Sequence, residues 1–277
     1  RAKIIKAIRE YMSNLGYLEV ETPFLHNQAT NANARPFCTH QNTLDIDMYL
    51  RIELELNLKK LIVGGLDKIF EIGKVFRNEG MDTRHNPEFT LMEFYEAYGD
   101  LYTMMDRAEQ IYCYVADNVL GTRQIDFQGQ IINLESPWRR LTMIEAVKEY
   151  SGVDFDSFTL DDEAAKKAAK EKNVHVESHW NWGMILNAFF EEYVEKNLIQ
   201  PTFIYQYPIE ISPLAKRNKE KPHLTERFEF FILASEMGNA FSELNDPVDQ
   251  RERLVAQAKS KFGDYEFTID DDFINAL

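Results

Sequence analysis

The stretch Phe76-Arg77-Asn78-Glu79-Gly80-Met81-Asp82-Thr83-Arg84-His85-Asn86-Pro87-Glu88-Phe89-Thr90-Leu91-Met92-Glu93 decides how the rest of the chain is read. Residues 88–98 alternate so that Phe89, Leu91, Glu93, Tyr95 and Ala97 share one face of a strand, and 70–79 does the same for Glu71, Gly73, Val75, Arg77 and Glu79. Gly80 and Asp82 lead into Arg84-His85-Asn86-Pro87, which makes the unit strand, loop, strand. Glu93 thus lies among apolar neighbours, where an unpaired charge is expensive. It is either an edge-exposed glutamate or a carboxylate that holds a cationic ligand, with the Tyr95 hydroxyl beside it. Arg77 is a permanently charged planar donor suited to bridging a carboxylate and a phosphate, and Arg84 and His85 can reach polyphosphate oxygens. A lone strand arginine is usually a salt-bridge partner, but several polar groups converging on one hairpin favour a site.

Working outward, residues 1–15 read as an amphipathic helix stopped by Gly16, and 17–22 as a strand ending at Pro23. A polar loop at 26–34 precedes a helix at 55–64 and an extended segment at 69–79. Beyond the hairpin, 101–119 is helical, 123–133 is a hairpin around Gly129, and 143–150 is a helix with Thr142 as its N-cap. Residues 155–198 are charged and mostly helical and read as an inserted segment within one domain spanning 1–277. Strands return at 202–207, 226–234 and 237–245, followed by a helix at 247–262 and the acids Asp270-Asp271-Asp272. Strands close in sequence and interrupted by helices favour an α+β fold on an antiparallel sheet.

In the last strands Arg227, Glu229, Phe231 and Leu233 share a face, as do Asn239, Phe241 and Glu243. Glu229 and Glu236 suit a hard cation such as magnesium, although each acid alone is more often a solvated sheet residue. Glu236 has the opposite parity to Asn239 and Glu243, so a shared site requires a bulge near Gly238 or placement at the strand end.

Composition narrows the options. With 44% hydrophobic and 28% charged residues in 277, the chain is too apolar to be disordered. A net charge of −15 argues against a sequence-independent nucleic-acid binder, and local clusters such as Lys216-Arg217-Asn218-Lys219 and Arg139-Arg140 read first as solvated surface. No apolar run reaches membrane-spanning length and no signal peptide is visible, so no membrane partner and a cytoplasmic location are the default expectations. Cys38 and Cys113 are far apart, which suggests neither a disulfide framework nor a zinc site. Walker, GxGxxG, HExxH and GxSxG patterns are absent from the sequence, so a bound nucleotide would lie on the sheet.

The segment 76–93 resembles motif 2 of the class II lysyl-tRNA synthetases, and Arg35-Pro36-Phe37, 45–52, 227–231 and 238–246 extend the likeness over nearly the whole chain. The resemblance implies an antiparallel sheet of roughly six or seven strands, flanked by helices, that activates lysine with ATP and passes the lysyl group to tRNA(Lys). Position by position, it implies that Arg77 contacts the lysine carboxylate and the α-phosphate. Glu79, His85 and Phe89 would hold ATP, with Phe89 stacking on adenine, and Glu229 and Glu236 would carry Mg2+. Glu55, Glu93, Tyr95, Asn239 and Glu243 would form the lysine pocket, together with Arg77. Residues 1–25, with Pro23, resemble motif 1, which implies a homodimer. The family's glycine-rich motif 3 is expected beyond Leu277 and its anticodon-binding barrel before Arg1, so the chain is expected to be a catalytic core cut off before motif 3. Two departures stand out. Thr30-Asn31 replaces a glycine pair, and Glu53-Leu54 stands where a small residue and proline usually precede Glu55. Two other readings accompany the synthetase: a non-catalytic scaffold or regulatory module on the same fold, and a paralogue that modifies elongation factor P.

Overall fold

The computed structural model describes residues 1–27, 34–83, 85–262 and 274, with side chains up to Val255 in the last helix. Arg84, Thr30-Asn31 and Asp270-Asp271-Asp272 lie outside the described residues. The chain divides into two compact units, one comprising Ile4–Tyr98 and the chain from Asp246 on, the other Gly99–Asn245.

In the first unit the helix Ala2–Asn14 buries Ala7 and Met12, and Gly16 stops it by taking a φ of 81° that a side chain would oppose. The strands Lys68–Phe76 and Glu88–Glu96 pair antiparallel over their full length, with Glu71 opposite Glu93 and Val75 opposite Phe89. Opposed residues share a face, so the Glu71, Gly73, Val75 row and the Phe89, Leu91, Glu93, Tyr95 row lie side by side. Beneath them the helix Glu55–Val63 contributes Leu58 to a core of Leu54, Ile69 and Val75, packed by Phe89, Leu91 and Tyr95.

Only Leu18–Glu19 of the expected 17–22 strand is paired, and it runs parallel to Lys68–Phe76. The ladder stops there because Thr22 turns its N–H and hydroxyl to the Glu71 carboxylate, at 3.2 and 2.7 Å. A second antiparallel sheet of Leu25–His26, Ile46–Leu50 and Cys38–Gln41 occupies residues for which no strand was expected. Its short, mostly exposed strands carry no clear alternation.

The second unit is built on a sheet ordered Ser235–Phe241, Arg227–Ile232, Thr202–Tyr205, Arg139–Thr142, antiparallel except for the last pair. Helix Leu101–Val115 is capped by Asp100, which accepts from Thr103 N, and helix Met143–Ser151 by a reciprocal Thr142/Glu145 capping box. The hairpin Gln124–Phe127 and Gln130–Asn133 turns at Gln128-Gly129, both at positive φ. Residues 155–198 are helical as expected, chiefly Asp162–Lys172 and Trp182–Phe189. Their Phe155, Ala165, Trp182 and Phe189 share a core with Ile204, Leu224 and Phe231 of the sheet side. The last hairpin turns at Leu233-Ala234, earlier than the sequence suggests, so its second strand begins at Ser235 and ends at Phe241.

Candidate active site

The residues singled out in the sequence fall into one group in each unit. In the first, the backbone leading into helix Glu55–Val63 is pinned from both sides. Arg77 Nε donates to the Ile52 carbonyl at 3.3 Å, and Leu54 N–H donates to Glu93 Oε1 at 3.2 Å. Tyr95 Oη donates to the other oxygen of Glu93 at 3.2 Å. Glu55 accepts from Lys59 one helical turn on, and the Lys59 ammonium is itself buried.

Charge in this pocket is unbalanced. Burial, then the charge of Glu55, pushes Glu93 up to about 7 against the pull of Leu54 N–H, Tyr95 and Lys59. Glu53 rises further, to about 8, through burial and the charges of Glu55 and Glu93, offset in part by Lys59 and Arg77. Among the described residues the three carboxyls share two cations, and a further cation entering the pocket would be stabilised.

Arg77 lies with its guanidinium carbon 5.3 Å from the centre of the Phe89 ring, which is only half-buried. In the connecting loop His85 donates its backbone N–H to Asp82 Oδ1 at 2.8 Å, and its Nδ1 lies 2.7 Å from Oδ2 of the same carboxylate. Glu79 is exposed and accepts from Arg35 N at 3.4 Å. Behind the hairpin sits a feature that the sequence reading missed. Arg51, 1% exposed, pairs with Glu71 at 2.7 Å and also donates to the Lys74 and Thr22 carbonyls and to Thr22 Oγ1. A Cβ on Gly73 would lie 2.3 Å from Arg51 Nη2, so a side chain there would displace the guanidinium. A glycine inside a strand pattern is the signal of such close approach.

In the second unit Arg227 organises the face. Its guanidinium donates to Asn239 Oδ1 at 2.9 Å, the Ile211 carbonyl at 2.7 Å and Ser212 Oγ at 3.0 Å, and pairs with Glu229 Oε1. Tyr207 Oη donates to Glu229 Oε2 at 2.9 Å, and the Arg227 guanidinium carbon stands 4.7 Å from the centre of the Tyr207 ring. Burial and the Glu229 charge hold the Tyr207 hydroxyl well above its ordinary range.

Glu229 is opposite Asn239 and Phe231 opposite Glu236, with a register shift between Phe230 and Phe231 that makes Met237 the extra residue. That bulge reverses the parity of Glu236 and brings it to the face of Glu229 and Asn239. Glu243 lies past the strand end, bridged to Ala215. Arg227 and Tyr207 were not among the expected site residues; an arginine two residues before an inward acid on a strand was the available sign for the first.

A family model of the class II tRNA synthetases (D, K and N) matches residues 1–277. The chain belongs to that family. Its curated relatives include the lysine--tRNA ligases of Thermoanaerobacter sp. (strain X514), 58% identical, Moorella thermoacetica (strain ATCC 39073 / JCM 9320), 55% identical, and Staphylococcus aureus (strain MW2), 53% identical. Each match covers 100% of this chain and 56%, 57% and 56% of the relative, respectively, so the synthetase chain spans about half the length of the relatives it matches. No helix among the described residues of this class II synthetase is long and apolar enough to cross a membrane.

Proposed function

We propose that this chain is the catalytic domain of a lysine--tRNA ligase, activating lysine with ATP to lysyl-adenylate and passing the lysyl group to tRNA(Lys). The observation that carries the reading is the surplus of acid at Glu53, Glu55 and Glu93, which calls for a cationic ligand beside Arg77. A neutral isostere of lysine would leave these carboxylates unpaired and so be rejected. Tyr95 orients Glu93, and Asn239 and Glu243 complete the set of lysine-binding residues.

Arg77 takes the lysine carboxylate and the α-phosphate. A carboxylate oxygen attacks the α-phosphorus, the bond to the β-phosphate oxygen breaks, and pyrophosphate leaves in line. Arg77 steadies the charge that accumulates on the phosphorus oxygens, and no protein nucleophile takes part. Glu79 and His85 hold the nucleotide, with Phe89 offering its ring to adenine. Glu229 and Glu236, two oxygen donors on one face, fit Mg2+ and would hold it; bound there, the ion would neutralise phosphate charge. In the transfer step a terminal ribose hydroxyl of tRNA attacks the lysyl carbonyl and AMP departs.

Exposed Ile4, Leu18, Phe24 and Leu25 in the motif 1 region support a homodimer through residues 1–25. Residues 155–198 are read as a helical insertion within the domain, and the location as cytoplasmic. The test is lysine-dependent ATP–pyrophosphate exchange with Mg2+. Exchange with lysine and none with norleucine is expected, and equal exchange with both would overturn the reading.

A further inference from the structure

Arg51 directly follows the strand Ile46–Leu50, and its backbone is tied on both sides. Its N–H donates to the Phe24 carbonyl and its carbonyl accepts from the Phe76 N–H, each at 2.9 Å. Phe76 is the residue before Arg77, and Ile52, the residue after Arg51, offers its carbonyl to Arg77 Nε at 3.3 Å. The place of Arg51 therefore sets two things together: the backbone on which Arg77 stands and the acceptor that aims its side chain. The Arg51 guanidinium fixes that place from inside the fold. Nε donates to the Lys74 carbonyl at 2.8 Å, while Nη1 donates to the carbonyl and Oγ1 of Thr22, both at 3.0 Å, and pairs with Glu71 at 2.7 Å. Its central carbon stands 4.0 Å from the centre of the Phe24 ring. One buried side chain thus joins residues 22–24 to the strand Lys68–Phe76, two residues before Phe76. A buried ion pair gains little over apolar packing of the same volume, so stability alone does not account for one here. A guanidinium supplies what an apolar side chain cannot, several directed bonds from one rigid plane.

We propose that Arg51 is a positioning residue for lysine activation. Its bonds hold the Ile52 carbonyl and the end of strand Lys68–Phe76 in register, so that Arg77 meets the lysine carboxylate and the α-phosphate already aimed. The inference rests on the role given to Arg77 above. It acts on the transition state more than on binding, because a misaimed Arg77 costs most when charge accumulates on the phosphorus oxygens.

The experiment is steady-state lysine-dependent ATP–pyrophosphate exchange with Mg2+, comparing wild type, R51K, R77A and R51K/R77A below the melting temperature of each. R51K keeps a charge for Glu71, but an ammonium does not reproduce the planar fork that serves Lys74 and Thr22 at once. Its kcat is expected to fall roughly tenfold, with KM for lysine and ATP within about threefold of wild type. In the R77A background the same change should cost less than about twofold in kcat, since its route to the chemistry is gone. G73A perturbs the same group while retaining every charge, because the added Cβ would overlap Arg51 Nη2 and push the guanidinium aside. It is expected to lower kcat roughly fivefold, and it takes the place of R51K in the comparison if R51K does not fold. A lower melting temperature with unchanged kcat would overturn the proposal and leave Arg51 a structural pair, with the lysine reading standing. A loss repeated in full in the R77A background would also overturn it, because Arg51 would then act independently of Arg77. Wild type that shows no lysine-dependent exchange would sink the lysine reading and this inference with it.

Discussion

Glu229 and Glu93 are both strand carboxylates with a tyrosine hydroxyl beside them, at 2.9 Å from Tyr207 and 3.2 Å from Tyr95. Glu229 also has Arg227 in contact, and that guanidinium is further engaged by Asn239, Ser212 and the Ile211 carbonyl. Glu93 has no cation in contact among the described residues; its neighbours in charge are two more acids, and Lys59 is engaged by Glu55. One acid is paired within the fold and the other is held near neutrality by its surroundings. The difference separates a site built to stay as it is from one that gains by receiving a cation. Removing one charged group should therefore weaken the fold at Glu229 and strengthen it at Glu53.

The largest effect is expected where the paired network loses its centre. Arg227→Met strands Glu229 and frees Asn239 and Ser212, and should lower unfolding free energy by about 3 kcal/mol, the scale of breaking a largely buried pair. A chemical denaturation curve measures it, and a loss below about 1 kcal/mol would mean that the network is a surface ornament. Next in size is Arg77→Ala, whose effect falls on rate. Pyrophosphate exchange should drop about 10²–10³-fold, as when one charge-stabilising donor is removed from a site. The melting temperature should hardly move, because Arg77 Nε makes only a long 3.3 Å bond to Ile52.

How much of this could be read beforehand differs between the two regions for physical reasons. The hairpin around Arg77, the helices and the Thr142 cap were legible, because period-two alternation, period-3.6 apolar spacing and capping residues are local signals. Glu93 was readable as an acid among apolar residues, and the likeness of 76–93 to motif 2 supplied the family. The turn at Leu233-Ala234 was not legible, because both residues take positive φ, 56° and 53°, without the glycine or asparagine that usually marks it. The parity of Glu236 called for a bulge near Gly238, and the pairing of the two strands shows that the extra residue is Met237, beside it. Arg51 and Glu71 escaped because they are far apart in the chain, Arg51 just past the end of the strand Ile46–Leu50 and Glu71 within Lys68–Phe76, and the clue was Gly73, whose missing side chain leaves room for the guanidinium.

Glu229→Gln is a smaller test of the same contrast. The amide keeps a partner for Tyr207 but loses the charge that holds Arg227, and about 1.5–3 kcal/mol should go with a hydrogen bond to a charged group. If stability is unchanged, Arg227 is satisfied by Asn239, Ser212 and Ile211 alone, and the acid is available to a metal ion without cost to the fold.

The change expected with the opposite sign is Glu53→Gln. In the unfolded chain a glutamate titrates near its ordinary value of about 4.3, whereas in the fold Glu53 reaches about 8. Between those values the folded state holds a proton that the unfolded state releases, so unfolding free energy falls as pH rises through that window and levels off above it. Removing the titrating group should flatten that fall: melting temperatures of wild type and E53Q should lie close together at about pH 5 and diverge by about pH 8, with E53Q the higher. Identical pH profiles would place Glu53 in solvent and remove the surplus of acid on which the contrast with Glu229 depends. A wild-type melting temperature that rises over the window would indicate a cation already paired with Glu53 in the fold, making the two regions alike.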